Sequence, residues 1–290
     1  MKFLGYSVLL ALLLVLPCQL YGQRHPSLVY AKADSLWVTG VLRQAQRCQP
    51  GTCMPLFFAR QLVGRPYVGH TLEGHGGEPL VVNTRQLDCT TLVETVTALV
   101  LCVQSGQSSF SDFAANLCRL RYRRGVRQGY TSRLHYFTDW ILDNEQLGLV
   151  REHSSKCPPF NAVQTVRVSY MSAHPQKYIA LRSHPEDVAV IARTERAVSG
   201  RRFRYIPKGA LTNSRAVRNA VHDGDIIAIT CNRKGLDIAH VGFAVWKRDG
   251  LHLLNASSVH KKVVEEPMTL RRYLFKHPSH TGIRVVRIKQ

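Results

Sequence analysis

In the stretch "QLDCTTLVETVTALVLCV", residues 86 to 103, Cys89 follows an aspartate and opens an apolar segment. A thiol placed there is either a small core side chain or a nucleophile, and the second role needs an activated thiol and a base. Asp88 is suited to cap a helix, which puts Cys89 in the first turn, where unpaired backbone N–H groups and the helix dipole favour an anion. That effect amounts to at most about 2 kcal/mol, so further activation has to come from elsewhere in the chain. Among thirteen histidines, His240 stands out because it opens the run "HVGFAVW" after "KGLDIA". Most others lie in polar or proline-bearing stretches such as "EGHGG" and "KHPSH". A histidine beginning a central strand is either a satisfied core residue or a catalytic base. Such a base is usually oriented by a third group. The next run, "LHLLNAS", offers His252 and Asn255, three residues apart and so on opposite strand faces. Asn255 can accept the imidazole N–H through its amide oxygen; its plain alternative is a strand-end residue bonding its own turn.

These residues need elements that bring them together. After Asp88, the residues Leu92, Val93, Val96, Leu99, Val100 and Val103 recur at helical spacing, and Cys89 projects onto the same stripe. Cys89 therefore points at whatever the helix packs on, while Cys102 falls off the stripe and is read as packing, with Cys118 and Cys157. Residues 35–47 suggest a short helix, 64–83 a loop, and 111–123 and 132–146 two more helices. Residues 162–171 alternate like a strand, and 183–200 carry a cap, an early proline and a late glycine, as a helix does. The final seventy residues are strand-rich, with runs at 225–231, 240–246, 251–257 and 283–289. A helix followed by an antiparallel meander predicts an α+β fold. Nothing in the composition forces two domains; the simplest expectation is one, with a large middle elaboration.

The chain of 290 residues, 45% hydrophobic, is long enough to bury a substantial core. Its opening, with Lys2, an apolar run from Tyr6 to Leu16 and small Gly22, reads as a cleavable secretory signal over residues 1–22, too short to span a bilayer comfortably. No transmembrane segment is expected after cleavage. Removing Lys2 leaves 38 basic and 19 acidic residues, a formal +19, which calls for an anionic partner or a solvated basic surface. Export and the lack of an aromatic-interleaved basic platform make nucleic acid the least favoured partner. Outside the signal there are seven cysteines, an odd number that leaves at least one thiol unpaired. Cys48 and Cys53 bracket "QPGT", a turn able to bring them into a local disulfide. No spacing predicts a metal site or a cofactor.

The segments "GRPYVG", "LDCTTLVETVTAL", "GDIIAIT", "HVGFAVW" and "LLNAS" resemble the NlpC/P60 cysteine peptidase and amidase superfamily. More narrowly, "LVVNTRQLDCTTLVETV", "YTSRLHYFTDWI", "GLDIAHVGFAV" and "HLLNASS" resemble DUF1460, the N-acetylmuramoyl-L-alanine amidase-like proteins. The resemblance implies a papain-like core in which the helix begun by the cysteine packs on the antiparallel sheet carrying the histidine. Around it come an extra helical N-terminal region and a middle insertion, residues 151–222, shaping one wall of the cleft; together they make one domain over 23–290. It implies Cys89 as nucleophile, His240 as its base, a polar residue at 255 to orient the imidazole, and the Cys89 N–H with the Tyr67 hydroxyl as oxyanion donors. At position 255 relatives often carry histidine, where this chain has asparagine. The implied substrate is peptidoglycan or a muropeptide, cut between N-acetylmuramic acid and L-alanine, in an exported, periplasmic protein. Arg85 and Arg133, in matched blocks, are candidates for holding stem-peptide carboxylates. A peptidoglycan endopeptidase cutting within the stem peptide uses the same residues. A non-catalytic basic envelope-binding protein is the alternative of a different class.

Overall fold

The computed structural model describes residues 28–75 and 77–289, so the signal-like segment 1–22 lies outside the described residues. The first half is helical: α1 (Lys32–Ala45), α2 (Met54–Arg60), α3 (Cys89–Gln104), α4 (Phe110–Arg121) and α5 (Phe137–Gln146). The strands β1 (Leu28–Val29) and β2 (Leu80–Val81) form a small parallel pair among them. The middle contributes β3 (Val150–His153), β4 (Ala162–Thr165), α6 (Tyr170–Ala173), α7 (Ile179–Ser183), α8 (Asp187–Val198), β5 (Arg202–Pro207) and α9 (Arg215–Ala220). The last part is a meander of β6 (Ile226–Cys231), β7 (Ile238–Lys247), β8 (Gly250–Ser257) and β9 (Lys262–Glu265), closed by α10 (Leu270–Phe275) and β10 (His280–Ile288).

The main sheet has eight strands in the order β4-β5-β10-β6-β7-β8-β9. Every pairing in it is antiparallel, and β3 shares one edge of β10 with β5. The α+β expectation therefore holds. The sheet is covered on both faces, which explains why β6 reads as the continuous apolar run "IIAITC" rather than alternating. Ile226 and Ala228 pack with Leu92, Val96 and Phe58 of the helical layer. Ile227 and Ile229 pack with Val217, Leu270 and Leu274 on the other side. Each such buried side chain contributes about 1.5–3 kcal/mol, which fixes the register that the site depends on.

Helix α3 is buried all round: every residue from 91 to 102 is inaccessible, since α1, α2 and α4 cover the side turned away from β7 and β8. The single stripe expected for it is too narrow a description. Cys102 is buried on the side facing α4, where Asn116 donates to its sulfur at 3.3 Å, and burial pushes its pKa up to about 11. Other boundaries shift. The helix expected from 132 starts at Phe137, after a 3-10 turn at Tyr130–Ser132, and the strand expected over 162–171 ends at Thr165. The Cys48–Cys53 disulfide does not form. Cys53 is the N-cap of α2 and its thiol donates to the Asp223 carbonyl at 3.4 Å, while Cys48 leans back on Gln44. All seven cysteines among the described residues are free thiols. None of the described helices is long and apolar enough to cross a membrane.

The middle segment joins the rest through more than its strands. It has its own small core of Val166, Val168, Met171, Leu181, Ile191 and Val198, packed on Tyr130 and Tyr136. Fully buried Arg284 on β10 binds Glu152 at 2.6 and 2.8 Å and Thr138 at 2.7 Å, with its guanidinium 3.9 Å from the Phe203 ring centroid.

Candidate active site

The Asp88 side chain accepts the Thr91 N–H at 2.8 Å, and the Asp88 N–H donates to the Thr91 hydroxyl at 2.9 Å. This reciprocal cap starts α3 at Cys89. Among the described residues no hydrogen bond occupies the N–H groups of Cys89 and Thr90, which are left pointing out of the first turn. The half-buried thiol thus sits beside two free donors at the positive end of a helix.

Strands β7 and β8 bring the partners. His240 lies at the start of β7 and Asn255 near the end of β8, with His240 Nε2 2.9 Å from Asn255 Oδ1. The close approach needs Gly242: a Cβ there would lie 2.6 Å from the Leu254 carbonyl oxygen and 3.0 Å from Asn255 Cβ. Buried Asn255 in turn donates from Nδ2 to Glu266 Oε1 at 3.0 Å. The carboxylate only accepts, so the amide orientation is fixed and His240 Nε2 is the donor. Its Nδ1 is left for Cys89. Burial works against a charged His240, but the nearby Cys89, the Asn255 bond and the Glu266 charge together hold its pKa above the ordinary 6.5. His252 is elsewhere: its Nδ1 meets the Glu266 carbonyl at 2.8 Å and its Nε2 meets Asp249 at 2.9 Å. Glu266 was not among the residues the sequence singled out. In "VVEEPM" it resembles a strand-end charge, and only the pairing of β9 with β8 brings it under Asn255.

Cys89 lies between two cavities. One, of about 340 Å3, is lined by Tyr67, His70, Glu73, Arg133 and His135; the other, of about 230 Å3, by Tyr136, Phe137, Met171, Tyr178 and His240. Tyr67 is held at the mouth of α3 because its N–H donates to the Lys261 carbonyl at 2.9 Å and its flanking residues bond Leu87. Burial, then the nearby Cys89 and Asp88, push its hydroxyl pKa up, so it remains a donor. His135 faces both cavities. Its Nε2 is bonded to the Tyr130 carbonyl at 3.0 Å, and burial, with Arg133 nearby, drops its pKa to about 3, leaving a neutral ring.

The two arginines fare differently. Arg133 does line the first cavity, but it is buried and bound to Glu73 and Glu78, each at 3.0 Å, so its charge is already matched. Arg85 lies outside both cavities and bonds Asp34 at 3.3 Å.

The N-acetylmuramoyl-L-alanine amidase-like (AmiA-like) family model matches residues 57–283. The chain belongs to this family. The matched span includes Tyr67, Cys89, His240, Asn255 and Glu266. A crystal structure of an N-acetylmuramoyl-L-alanine amidase from Bacteroides uniformis is similar at 42% identity and TM-score 0.76, over 82% of this chain and 98% of that one. A putative xylanase from Bacteroides fragilis is similar at 42% identity and TM-score 0.74, over 80% and 99%. A Legionella pneumophila protein assigned to DUF1460 shares the fold at 21% identity and TM-score 0.68, over 89% and 95%. No match is found among curated proteins.

Proposed function

We propose that this amidase-like protein is an exported, periplasmic cysteine amidase of the NlpC/P60 type. Its substrate would be peptidoglycan or a muropeptide, cut between the lactyl group of N-acetylmuramic acid and L-alanine. The observation that carries the reading is His240 set between Cys89 at a helix N-terminus and a clamped Asn255. In the proposed reaction the Cys89 thiol gives its proton to His240 Nδ1, Sγ attacks the lactyl carbonyl carbon, and the oxygen takes up the π electrons. The Cys89 N–H and the Tyr67 hydroxyl stabilise that oxyanion. His240 Nδ1–H then protonates the alanine nitrogen as the C–N bond breaks, leaving a thioester. Water attacks the thioester, giving its proton to Nδ1, and the thiolate departs.

The single domain of 23–290 is part of the same proposal, with 151–222 as the insertion walling the second cavity through Met171 and Tyr178. A glycosidase, as the name of the B. fragilis structure suggests for that protein, requires two available carboxyl groups across the scissile bond. In the first cavity Glu73 and Glu94 are bound to Arg133 and Arg121, and Asp88 to its cap, which disfavours that chemistry here.

Incubating wild type and Cys89→Ala with purified muropeptides, followed by mass spectrometry, tests the proposal. Wild type alone should release a free peptide beginning with L-alanine. Cleavage only inside the peptide would make the protein an endopeptidase, and equal turnover by the variant would rule out the thiol mechanism.

A further inference from the structure

We propose that Glu266 is a positioning residue for the reaction, acting on His240 through Asn255. The inference rests on the Cys89–His240–Asn255 reading above. Glu266 has 1% of its surface exposed, and a buried carboxylate is costly unless its oxygens are bonded. Both are: Oε1 accepts from Asn255 Nδ2 at 3.0 Å and Oε2 meets His260 Nε2 at 3.2 Å. The backbone of Glu266 is fixed as well, since its N–H donates to the Leu253 carbonyl and its own carbonyl meets His252 Nδ1, each at 2.8 Å. The carboxylate is therefore held from both ends, and the Asn255 amide has one orientation open to it.

That orientation decides the tautomer of the base. With Oδ1 toward His240, the neutral ring keeps its proton on Nε2 and offers the Nδ1 lone pair to the thiol. If the amide flipped, its NH2 would face Nε2 and favour a proton on Nδ1, where the proton of Cys89 has to go. The negative charge behind Asn255 also favours the imidazolium that the reaction forms. The plain alternative is a structural ion pair with partly exposed His260.

The two roles separate in a pH profile. Glu266 raises the pKa of His240, so its neutralisation lowers that pKa, and the alkaline limb, where the imidazolium loses its proton, moves to lower pH. The other titratable groups facing His240 are Cys89, His277 and His280; those facing Glu266 are His260, His277 and Tyr273. All of these stay in place in Glu266→Gln and Glu266→Asp.

Wild type, Glu266→Gln and Glu266→Asp are compared by kcat and KM on a muropeptide and by the rate of Cys89 alkylation with iodoacetamide, both across pH, with Cys89→Ala as the control for turnover and for the other free thiols. For Glu266→Gln we expect the alkaline limb to fall by about one pH unit. We expect kcat to drop roughly ten-fold with KM near that of wild type. Glu266→Asp keeps the charge but shortens the reach, so kcat should fall with the limb unmoved. If Glu266→Gln does not fold, the kcat of Glu266→Asp decides the matter. Wild-type kcat and an unmoved limb in the folded variants, whatever their melting temperatures, would overturn the proposal. Turnover by Cys89→Ala, or a Cys89 inert to alkylation in wild type, would instead overturn the triad reading beneath it.

Discussion

Asn255 carries the most consequential residue-level choice in the molecule, because it converts a carboxylate that only accepts into an orientation for His240. Asn255→Ala removes that orientation, and a misplaced or wrongly protonated base costs roughly 10²-fold in kcat, measurable on a muropeptide with KM as the control. The raised His240 pKa sets a second expectation. The imidazolium survives above the ordinary histidine range, so the alkaline limb of kcat/KM should lie above pH 6.5, checked by assays in overlapping buffers. At this scale much was legible from sequence. Asp88 before a helical pattern places Cys89, and strand parity separates Asn255 from His252, which bonds Asp249 and the Glu266 carbonyl instead. Glu266 itself was not legible, since its role depends on a strand pairing that local sequence does not encode.

At the scale of elements, the site is a helix end set against a pair of adjacent strands, and two substitutions test what sets that arrangement. Gly242→Ala places a methyl 2.6 Å from the Leu254 carbonyl, so β8 has to move away from β7. The expected cost is about 1–3 kcal/mol by urea denaturation, accompanied by a loss of kcat as Asn255 shifts. Asp88→Ala removes the α3 cap, with an expected loss of about 1 kcal/mol in the same measurement. Periodicity found α3 but underestimated its burial, because a stripe describes a helix with one packed face and α3 has neighbours on all sides. The start of α5 was misplaced for a related reason: residues 133–136 stay outside the helix while Arg133, Leu134 and His135 wall the cleft, and the helix begins only beyond them.

For the whole molecule, the middle segment is tied to the main sheet by the pairing of β3 and β5 with β10 and by the side chains of Arg284 and Glu152, which Thr138 of α5 joins. Arg284→Ala leaves Glu152, itself 8% exposed, without its cation, and the expected cost is about 3–5 kcal/mol by denaturation. Hydrogen exchange should quicken in 150–206 more than in α3, since the packing of α3 lies elsewhere. The basic composition also looks different at this scale. In "RLRYRR" Arg121 is buried against Glu94 and Arg123 pairs with Asp139, so part of that run braces the interior rather than presenting charge to a partner.

The sequence by itself determined the class of fold, the helix that opens at Cys89, a strand that carries His240, which begins two residues earlier at Ile238, and the parity that sets Asn255 and His252 on opposite faces, because each follows from residue types at short separation. The tertiary structure decided the rest: it brought Glu266 under Asn255, matched Arg133 with Glu73 and Glu78, left Arg85 outside the cleft and kept Cys48 and Cys53 apart. These are outcomes of strand pairing and of packing between segments distant in the chain, where geometry and burial select one partner among many that the sequence allows.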